Sequence, residues 1–352
     1  MTADTVTIAG RPIGPGHPPY VVAEMSGNHN GDIGRALEIL EAAAEAGADA
    51  VKLQTYTADT LTIDCNKDDF LIKGGLWAGR NLHELYREAY TPWDWHERLF
   101  AKGAELGVAV FSTPFDPTAL EFLRELDAPA YKIASFEAVD LPLIAKIAGS
   151  GRPLVISTGM ANLGEIAEAV DTARSSGADE IILLHCISGY PTPVSESNLL
   201  TLPHLGQTFD AIPGLSDHTP GTVVSVAAVA LGACFIEKHF TLRRADGGPD
   251  AAFSLEPDEL KVLVRDCRQA WEALGRIDYS RKPSEAQNLV FRRSLYAVAD
   301  IAEGEVFTDA NVRSIRPGYG LPPKALPDVM GRTASRAIER GTPLDWTMIR
   351  AA

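Results

Sequence analysis

EAGADAVK, residues 45–52, ends a helical pattern at a glycine and continues directly into a short apolar strand. Two later stretches repeat this junction, SSGADEII (175–182) and ALGACFIEK (230–238). Glycine suits the end of a helix because it adopts the left-handed backbone conformation without a strained Cβ. No fixed short period separates the junctions, so they indicate repeated βα units rather than a solenoid.

Eight short β-rich runs alternate with helical patterns over the first three quarters of the chain. They are YVVAEMS (20–26), DAVKLQT (49–55), VAVFSTP (108–114), AYKIAS (130–135), PLVIST (153–158), IILLHCI (181–187), AIPGLSDH (211–218) and FIEKHF (235–240). This alternation is typical of parallel strands joined by helices. Eight units over about 250 residues match a (β/α)₈ TIM barrel in number and length. A doubly wound sheet is the second interpretation.

The rest of the chain predicts an excursion, a linker and a second domain. Residues 55–90 are too many for a simple loop after the second strand, and we expect them to shape the substrate pocket. We place the barrel domain at residues 1–275. The basic, proline-containing stretch 276–290 is typical of a linker. Short strands and Gly/Pro turns predict a small β-rich module at 291–352.

The charge of the chain limits its partners. Acidic residues outnumber Lys and Arg by 47 to 32, which gives a formal charge of −15. Such a field repels nucleic acid and anionic membranes. An anionic substrate must therefore be held by locally placed cations.

The sequence also predicts a cytoplasmic protein. Its first twenty residues have neither a basic leader nor an apolar signal core. The most hydrophobic window, Val223 to Ile236, is too short and too interrupted to cross a bilayer. The four cysteines lack metal-binding spacing, and we expect free thiols; they are Cys65, Cys186, Cys234 and Cys267.

Polar side chains stand at the carboxyl ends of the predicted strands, where TIM barrels place catalytic groups. In chain order they are Glu24, Lys52, Gln54, Thr113, Lys132, Ser135, Ser157, Ser188, Ser216, His218, Glu237 and His239. Residues two apart on a strand share a face, so Ser216 with His218 can point into the barrel, as can Lys52 with Gln54 and Glu237 with His239. Any one such residue is often structural, but the joint pattern favours an active site.

The two lysines predict a site for a small polyanion. A buried, unpaired Lys resists ionisation, and two ammonium groups at one barrel mouth also repel each other. A bound phosphate or carboxylate removes both difficulties. The surrounding hydroxyl groups support this interpretation; they belong to Thr113, Ser135, Ser157 and Ser216.

The two histidines end neighbouring strands, so their imidazoles can converge on one divalent ion with open positions left for water and substrate. Mixed nitrogen and oxygen ligation suits Mn²⁺ or Zn²⁺. Two histidines alone are weak evidence, and a structural role is equally open. Glu24, Glu237 and Asp250 are candidates for acid/base chemistry or for holding a polar substrate. A helix cap or surface position is the alternative for Asp250.

Three other functions are open from the residues alone. A Schiff-base aldolase would use Lys52 or Lys132 as a nucleophile. A zinc amidohydrolase would need an H-x-H pair on the first strand, where this chain has Glu24 and Met25. A non-catalytic carbohydrate-binding protein would leave the lysines and histidines unexplained.

Nine ordered motifs resemble the sialic acid synthase family: AEMSGNHNGD, GADAVKLQTYT, STPFD, YKIAS, ISTGM, HCISGYPTP, GLSDHTPG, IEKHF and GPDAAFSL. The C-terminal module resembles their antifreeze-like SAF domain, a β-clip fold. EMSGNHN, KLQTYTADTLT and LHELYREAYTPWDWHERLF are most similar to the pseudaminic acid synthase branch.

This resemblance implies an enzyme that condenses phosphoenolpyruvate with an N-acylated amino sugar. For this branch the sugar is 2,4-diacetamido-2,4,6-trideoxy-L-altrose, and the products are pseudaminic acid and phosphate, formed by C–O cleavage. The alternatives are N-acetylneuraminate synthase, which uses N-acetylmannosamine, and legionaminate synthase, which uses a diacetamido mannose.

The resemblance also implies a role for each matching residue. His218 and His239 would bind Mn²⁺, with Mg²⁺ or Co²⁺ as alternatives. Phosphoenolpyruvate would contact Lys52, Thr113, Lys132, Ser135, Ser157, Ser188 and Ser216, with Gln54 nearby. Glu24 would assist water addition, whereas Glu237, Asp250 and Tyr190 would face the sugar. The family pattern HCTNIYPTP has Asn at the position of Ser188. Arg316, in SIRPGYGLPP, matches an arginine that reaches the partner's barrel in a domain-swapped homodimer.

Overall fold

The computed structural model describes residues 5–351, and the outermost residues of both predicted domains, 1–4 and 352, lie outside that part. The chain forms two compact units that meet in sequence at Gly275 and Arg276. Each unit has its own hydrophobic core.

A short hairpin opens the first unit and covers the amino-terminal end of a closed barrel. Strands β1 (Val6–Ile8) and β2 (Arg11–Ile13) pair antiparallel. Val6, Ile8 and Ile13 are buried in the same apolar cluster as the first residues of the barrel strands. The interior of the barrel is therefore apolar at its amino-terminal end.

The barrel confirms the predicted TIM fold. Its strands are β3 (Tyr20–Glu24), β4 (Ala50–Thr55), β5 (Ala109–Pro114), β6 (Tyr131–Ile133), β7 (Leu154–Ser157), β8 (Ile181–Cys186), β9 (Ile212–Asp217) and β10 (Phe235–His239). They pair in parallel in chain order, and β10 closes on β3. A doubly wound sheet is wrong, because that sheet would be open at two edges.

Each barrel strand is followed by a helix that packs outside it. The helices of this unit are α1 (Ile33–Glu45), α2 (Ala58–Leu61), α3 (Leu82–Ala89), α4 (His96–Leu106), α5 (Pro117–Glu125), α6 (Leu141–Ala148), α7 (Leu163–Ser175), α8 (Thr201–Phe209), α9 (Val223–Ala230) and α10 (Pro257–Leu274). Gly47, Gly177 and Gly232 end three of these units with φ of 86°, 104° and 100°, as the sequence predicted. Within residues 5–351, no helix has the length and apolarity needed to span a membrane.

Alternate residues of each strand face opposite sides of the barrel wall. Val22, Phe111 and Phe235 belong to the interior cluster. Val21 and Ile236 belong to the outer cluster that packs on the helices. The candidates that lie on the strands occupy the same alternate positions as these interior residues. They therefore project into the barrel, beyond its apolar interior cluster.

The excursion after β4 contains α2 and α3 and a closed loop between them. Leu71 and Asn81 form an isolated antiparallel bridge that closes this loop. Trp77 lies within it and donates a hydrogen bond of 2.8 Å from Nε1 to the carbonyl oxygen of Pro249, in the loop after β10. The excursion therefore reaches the carboxyl end of the barrel.

The second unit is small and rich in β-structure. Strands β11 (Ser294–Ala297) and β12 (Val312–Ile315) pair antiparallel, and a short helix, α11 (Leu326–Val329), follows. Its core includes Leu295, Phe307 and Leu344. The stretch predicted as a linker contains a 3₁₀ helix at Pro283–Phe291.

The four cysteines are free, as the sequence predicted. Cys186, Cys234 and Cys267 are buried, and Cys65 is partly exposed.

Candidate active site

Two lysines and two glutamates form the centre of the site. Lys52 Nζ lies 2.6 Å from Glu24 Oε2 and 3.8 Å from Glu237 Oε1. Lys132 Nζ lies 3.5 Å from the same oxygen of Glu237. All four side chains are at most 5% exposed. The carboxyl end of the barrel thus holds a buried cluster of alternating charge.

The structure corrects one step of the sequence argument, which treated the lysines as unpaired. Glu24 stands beside Lys52 in the register of β3 and β4, and Glu237 projects between the two lysines from β10. Burial lowers the pKa of both ammonium groups, but for Lys52 the charges of Glu237 and Glu24 outweigh burial, and its pKa is raised. Lys132 has a lowered pKa, because burial and the charge of Lys52 outweigh Glu237. Lys132 is therefore the ammonium group that gains most from a bound anion.

Further hydroxyl groups lie at this end of the barrel, and two of them have no hydrogen-bond partner among the described residues. Ser157 Oγ and Ser188 Oγ are buried without a hydrogen bond to any described residue. Ser135 Oγ accepts a hydrogen bond of 3.2 Å from the backbone N–H of Gly159. A Cβ at Gly159 would lie 2.2 Å from Ser188 Oγ and 2.7 Å from Ser135 Oγ. Glycine thus lets the backbone approach these hydroxyls. Ser135 Oγ donates a hydrogen bond of 3.5 Å to Cys186 Sγ, so the free donors suited to an anion are those of Ser157 and Ser188.

Two further predicted hydroxyls contact the charged centre directly. Thr113 Oγ1 accepts a hydrogen bond of 3.3 Å from Lys52. Ser216 Oγ donates one of 3.2 Å to Glu237 Oε1. Both side chains therefore help to hold the ion pairs in place.

The two histidines converge at the same end of the barrel. The ring centroids of His218 and His239 are 5.3 Å apart. His218 Nδ1 lies 3.0 Å from the carbonyl oxygen of Ile187, so this nitrogen carries the proton and Nε2 is left free. His239 is buried, and this burial, together with the nearby charge of His218, lowers its pKa well below the usual range and keeps the imidazole neutral.

These imidazoles fit a divalent ion. A neutral imidazole is a suitable ligand, and His239 Nδ1 has no hydrogen-bond partner among the described residues. Across residues 5–351, no group of three or more His, Cys, Asp or Glu side chains is arranged to hold a metal. A metal here would need water or substrate to complete its coordination, as in open catalytic sites.

A buried ion pair on the outer face of the same strands supports the histidines. Lys238 Nζ lies 2.8 Å from Asp217 Oδ2, and Lys238 is fully buried. The Asp217 carboxylate also accepts hydrogen bonds from the N–H and hydroxyl of Thr219 and from Ser225 Oγ. This network fixes the turn that follows β9, and with it the backbone next to His218.

An aromatic wall lines one side of the histidines. The ring of Tyr190 lies 4.5 Å from that of His218, and the ring of Trp77 lies 5.5 Å from that of Tyr190, centroid to centroid. Phe253 packs 4.8 Å from His239. The sequence analysis missed Trp77 and Phe253. A lone tryptophan among glycines in KGGLWAGR was the available signal.

A hydrogen-bonded chain lines the other side. Gln54 Nε2 donates to Glu24 Oε1 at 2.9 Å and to Ser26 Oγ at 3.2 Å. Ser26 Oγ in turn donates to Asp250 Oδ2. Asp250 is buried, and its side chain makes no capping hydrogen bond to the 3₁₀ turn that follows it. Its carboxylate therefore belongs to the site.

Comparisons with known proteins show the family of this chain. Residues 39–279 match the model of the NeuB family, and residues 292–350 match the SAF domain. The chain belongs to the NeuB family. Pseudaminic acid synthases from Campylobacter jejuni strain 81-176 and Helicobacter pylori are 44% and 43% identical to it. The first alignment covers 92% of this chain and 95% of the relative, and the second covers 93% and 96%.

A solved structure gives a third comparison. The N-acetylneuraminic acid synthetase of Leptospira borgpetersenii, crystallised with citrate, is 30% identical to this NeuB-family chain. The match has a TM-score of 0.73 and covers 82% of this chain and 96% of that one.

The predicted site residues of this NeuB-family chain divide between its two units. All of them except Arg316 lie in the barrel, and the contacts above join most of these into one cluster. Ser157 lies at the end of β7 without a described contact to the others. Arg316 is exposed and follows β12 in the second unit.

One acidic residue near the site was missed. Glu137 follows Ser135 in the 3₁₀ turn after β6, and its Oε2 is buried with no hydrogen-bond partner in the described part of the chain. Burial raises its pKa to about 7, although the charge of Lys132 opposes this. The letters SFE directly after a strand were the signal, since loops at this end of a TIM barrel carry functional groups.

Glu137 makes the stability of the barrel depend on pH. The folded state holds the Glu137 proton up to about pH 7, whereas the unfolded chain releases it near pH 4.5. Stability is therefore lost as pH rises from 4.5 to about 7, and it levels off above that pH. Glu137→Gln cannot ionise at this position. We predict that its free energy of unfolding, relative to that of the natural chain, increases by about 1–2 kcal/mol from pH 5.5 to pH 8.5. This figure allows for the partial exposure of the side chain.

Thermal unfolding of both proteins at the two pH values measures this gain. Glu121→Gln, on the exposed face of α5, is the matched control and should show no pH-dependent gain. An equal difference between Glu137→Gln and the natural chain at both pH values would contradict the prediction.

Proposed function

We propose that the chain condenses phosphoenolpyruvate with 2,4-diacetamido-2,4,6-trideoxy-L-altrose to give pseudaminic acid and phosphate. One end of the barrel offers both an anion site and a metal site, and this supports the reaction class. The lysine pair and the unpartnered serines make up the anion site, and the two converging histidines make up the metal site. The sugar is inferred from the two relatives named pseudaminic acid synthase at 43–44% identity. We place the reaction in the cytoplasm, in line with the expectation from the sequence.

Phosphoenolpyruvate occupies the region between the lysines and the serine hydroxyls. Lys132 has one carboxylate partner at 3.5 Å, so an anion can approach it closely. The hydroxyls of Ser135, Ser157 and Ser188 supply hydrogen bonds to phosphate or carboxylate oxygens. Binding in a buried pocket strengthens these interactions, because the local dielectric is low.

Bond formation joins C3 of phosphoenolpyruvate to the aldehyde carbon of the sugar, and the electron pair of the aldehyde C=O bond passes to its oxygen, which takes up a proton to become a hydroxyl. Positive charge develops at C2, and water adds there and gives up a proton. The tetrahedral intermediate then collapses: its C2 hydroxyl loses a proton and becomes the keto group, the bond from C2 to the phosphate oxygen breaks, and the electron pair of that bond leaves with phosphate. Lys52 and Lys132 hold the anionic groups through these steps.

Glu24 and Glu237 divide the acid/base and electrostatic roles. Burial, together with the charge of Glu237, raises the pKa of Glu24 despite Lys52, so Glu24 is the better proton acceptor for the added water. Burial also acts on Glu237, but Lys132 and Lys52 outweigh it and lower its pKa. Glu237 therefore stays ionised and neutralises the lysines.

His218 and His239 are the residues that would hold a divalent ion. When bound, Mn²⁺, Mg²⁺ or Co²⁺ supplies a Lewis acid that polarises the aldehyde oxygen of the sugar. The hydrogen bond from His218 Nδ1 to Ile187 leaves Nε2 as the nitrogen available to such an ion. Tyr190 and Asp250 face the same space and are placed to contact the sugar.

A Schiff-base aldolase is the second candidate, because burial lowers the pKa of Lys132 and would favour a neutral amine. Borohydride trapping of a keto substrate on Lys132 would support it. The ion pair of Lys52 with Glu24 argues against Lys52 as that nucleophile.

The proposed function predicts which sugar acts as acceptor. Phosphate release from phosphoenolpyruvate should require Mn²⁺ and the altrose-configured diacetamido sugar. N-acetylmannosamine and the manno diacetamido isomer, tested at equal concentration, should react at least about tenfold more slowly, a difference near 1.4 kcal/mol in the barrier. A preference for N-acetylmannosamine would refute the acceptor, and no phosphate with any of the three would refute the reaction class.

We further propose a homodimer in which the C-terminal module of one copy completes the barrel site of the other. Ile277 and Tyr279 are 92% and 98% exposed, and Phe291 is also exposed. Large apolar side chains clustered in one segment are typical of a surface that a partner covers. Arg316 is exposed and free to offer its guanidinium to a substrate carboxylate or hydroxyl.

Arg316→Ala tests this second proposal. We expect KM for the sugar to rise about tenfold, because a hydrogen bond to a charged group is lost. The dimer mass measured by light scattering should not change. Arg313→Ala, an exposed arginine on β12, is the control and should leave both values unaltered. Unchanged sugar KM and turnover in Arg316→Ala would leave the module a structural role only.

A further inference from the structure

Ser26 has a backbone conformation that serine rarely adopts. Its φ is 49°, in the left-handed region where glycine is favoured, and its side chain is buried. A residue with a Cβ is strained there, and such strain persists where the surrounding structure enforces it. Glycine at this position would remove the strain, so the serine hydroxyl needs a physical reason.

The hydroxyl connects two parts of the candidate active site. Ser26 Oγ accepts a hydrogen bond of 3.2 Å from Gln54 Nε2 and donates one to Asp250 Oδ2. Ser26 thus gives the Asp250 carboxylate a donor from the first barrel loop. Gln54 links this hydroxyl to Glu24.

The loop that carries Asp250 is anchored by other contacts. Asn28 Nδ2 donates to the carbonyl oxygen of Phe240 and to Ser254 Oγ, both at 2.9 Å. Arg35 pairs with Asp246 at 2.8 Å. These bonds hold the loop at its two ends and its middle. The Ser26 hydroxyl is therefore left to orient the carboxylate rather than to fold the loop.

We propose that Ser26 is a positioning residue for the acceptor sugar, which it serves by fixing the carboxylate of Asp250. This inference rests on the proposed function. With Oδ2 engaged by Ser26, Oδ1 is directed to accept a hydrogen bond from a hydroxyl or amide N–H of the sugar. Phosphoenolpyruvate lies on the lysines and does not depend on this contact.

Two variants separate the hydroxyl from the strain. Ser26→Ala removes the hydroxyl and keeps a Cβ at the strained φ. Ser26→Gly removes the hydroxyl and relieves the strain. We expect both to raise KM for the acceptor about tenfold, the size of one lost hydrogen bond to a charged group. KM for phosphoenolpyruvate should stay within about twofold, and Ser26→Gly should melt at or above the temperature of the natural chain.

Thr241→Val is the matched control. It removes a hydroxyl in the loop that carries Asp250. This hydroxyl accepts a hydrogen bond of 3.2 Å from Arg35 on α1, and its loss leaves the Asp250 carboxylate unchanged. We expect a lower melting temperature and an acceptor KM within about twofold of the natural value, because loop anchoring loses only one neutral acceptor.

Each result bears on one claim. An unchanged acceptor KM in both Ser26 variants overturns the inference while the natural enzyme still supports the proposed function. Full recovery in Ser26→Gly but not in Ser26→Ala also overturns it, because strain and not the hydroxyl would then matter. If the natural enzyme releases no phosphate with any acceptor, the proposed function fails, and the inference fails with it.

Discussion

Two ammonium groups buried at one end of a barrel are the constraint on which the site depends. A charge removed from water requires an opposite charge within hydrogen-bonding distance. Glu24 and Glu237 meet this need for Lys52, which lies 2.6 Å and 3.8 Å from them. Lys132 shares only Glu237, at 3.5 Å. The free protein can therefore fold with a neutral cluster and still have one cation ready for an anionic substrate.

The barrel keeps this cluster separate from the rest of the protein. Interior positions near the strand starts are apolar, and the hairpin β1–β2 packs on them. The inward-facing positions near the carboxyl ends of the strands carry the lysines, glutamates and histidines. The outward position between Ser216 and His218 is occupied by Asp217, whose buried pair with Lys238 fixes the backbone of both histidine-bearing strands. The interior ion pairs and the outer pair of Asp217 with Lys238 thus both hold the carboxyl ends of β9 and β10 in place.

Much of this could be predicted from the sequence, and the reason is local periodicity. Residues two apart share a face, so Glu237 and His239 were placed inside the barrel from spacing alone. The pairing of Glu237 with both lysines could not be predicted this way, because it depends on how far the side chain reaches across the barrel. Ser26, Trp77 and Glu137 were missed because they lie in loops, whose conformation is set by long-range contacts such as Trp77 with Pro249.

We propose that Lys132 is the principal cation that binds phosphoenolpyruvate. Calorimetric titration of phosphoenolpyruvate into the natural chain and Lys132→Met, without acceptor, tests it most directly, with exposed Lys146→Met as the control. The account predicts that Kd rises at least about 100-fold for Lys132→Met, equivalent to about 2.7 kcal/mol, and is unchanged for Lys146→Met. Equal affinity of the natural chain and Lys132→Met would contradict it.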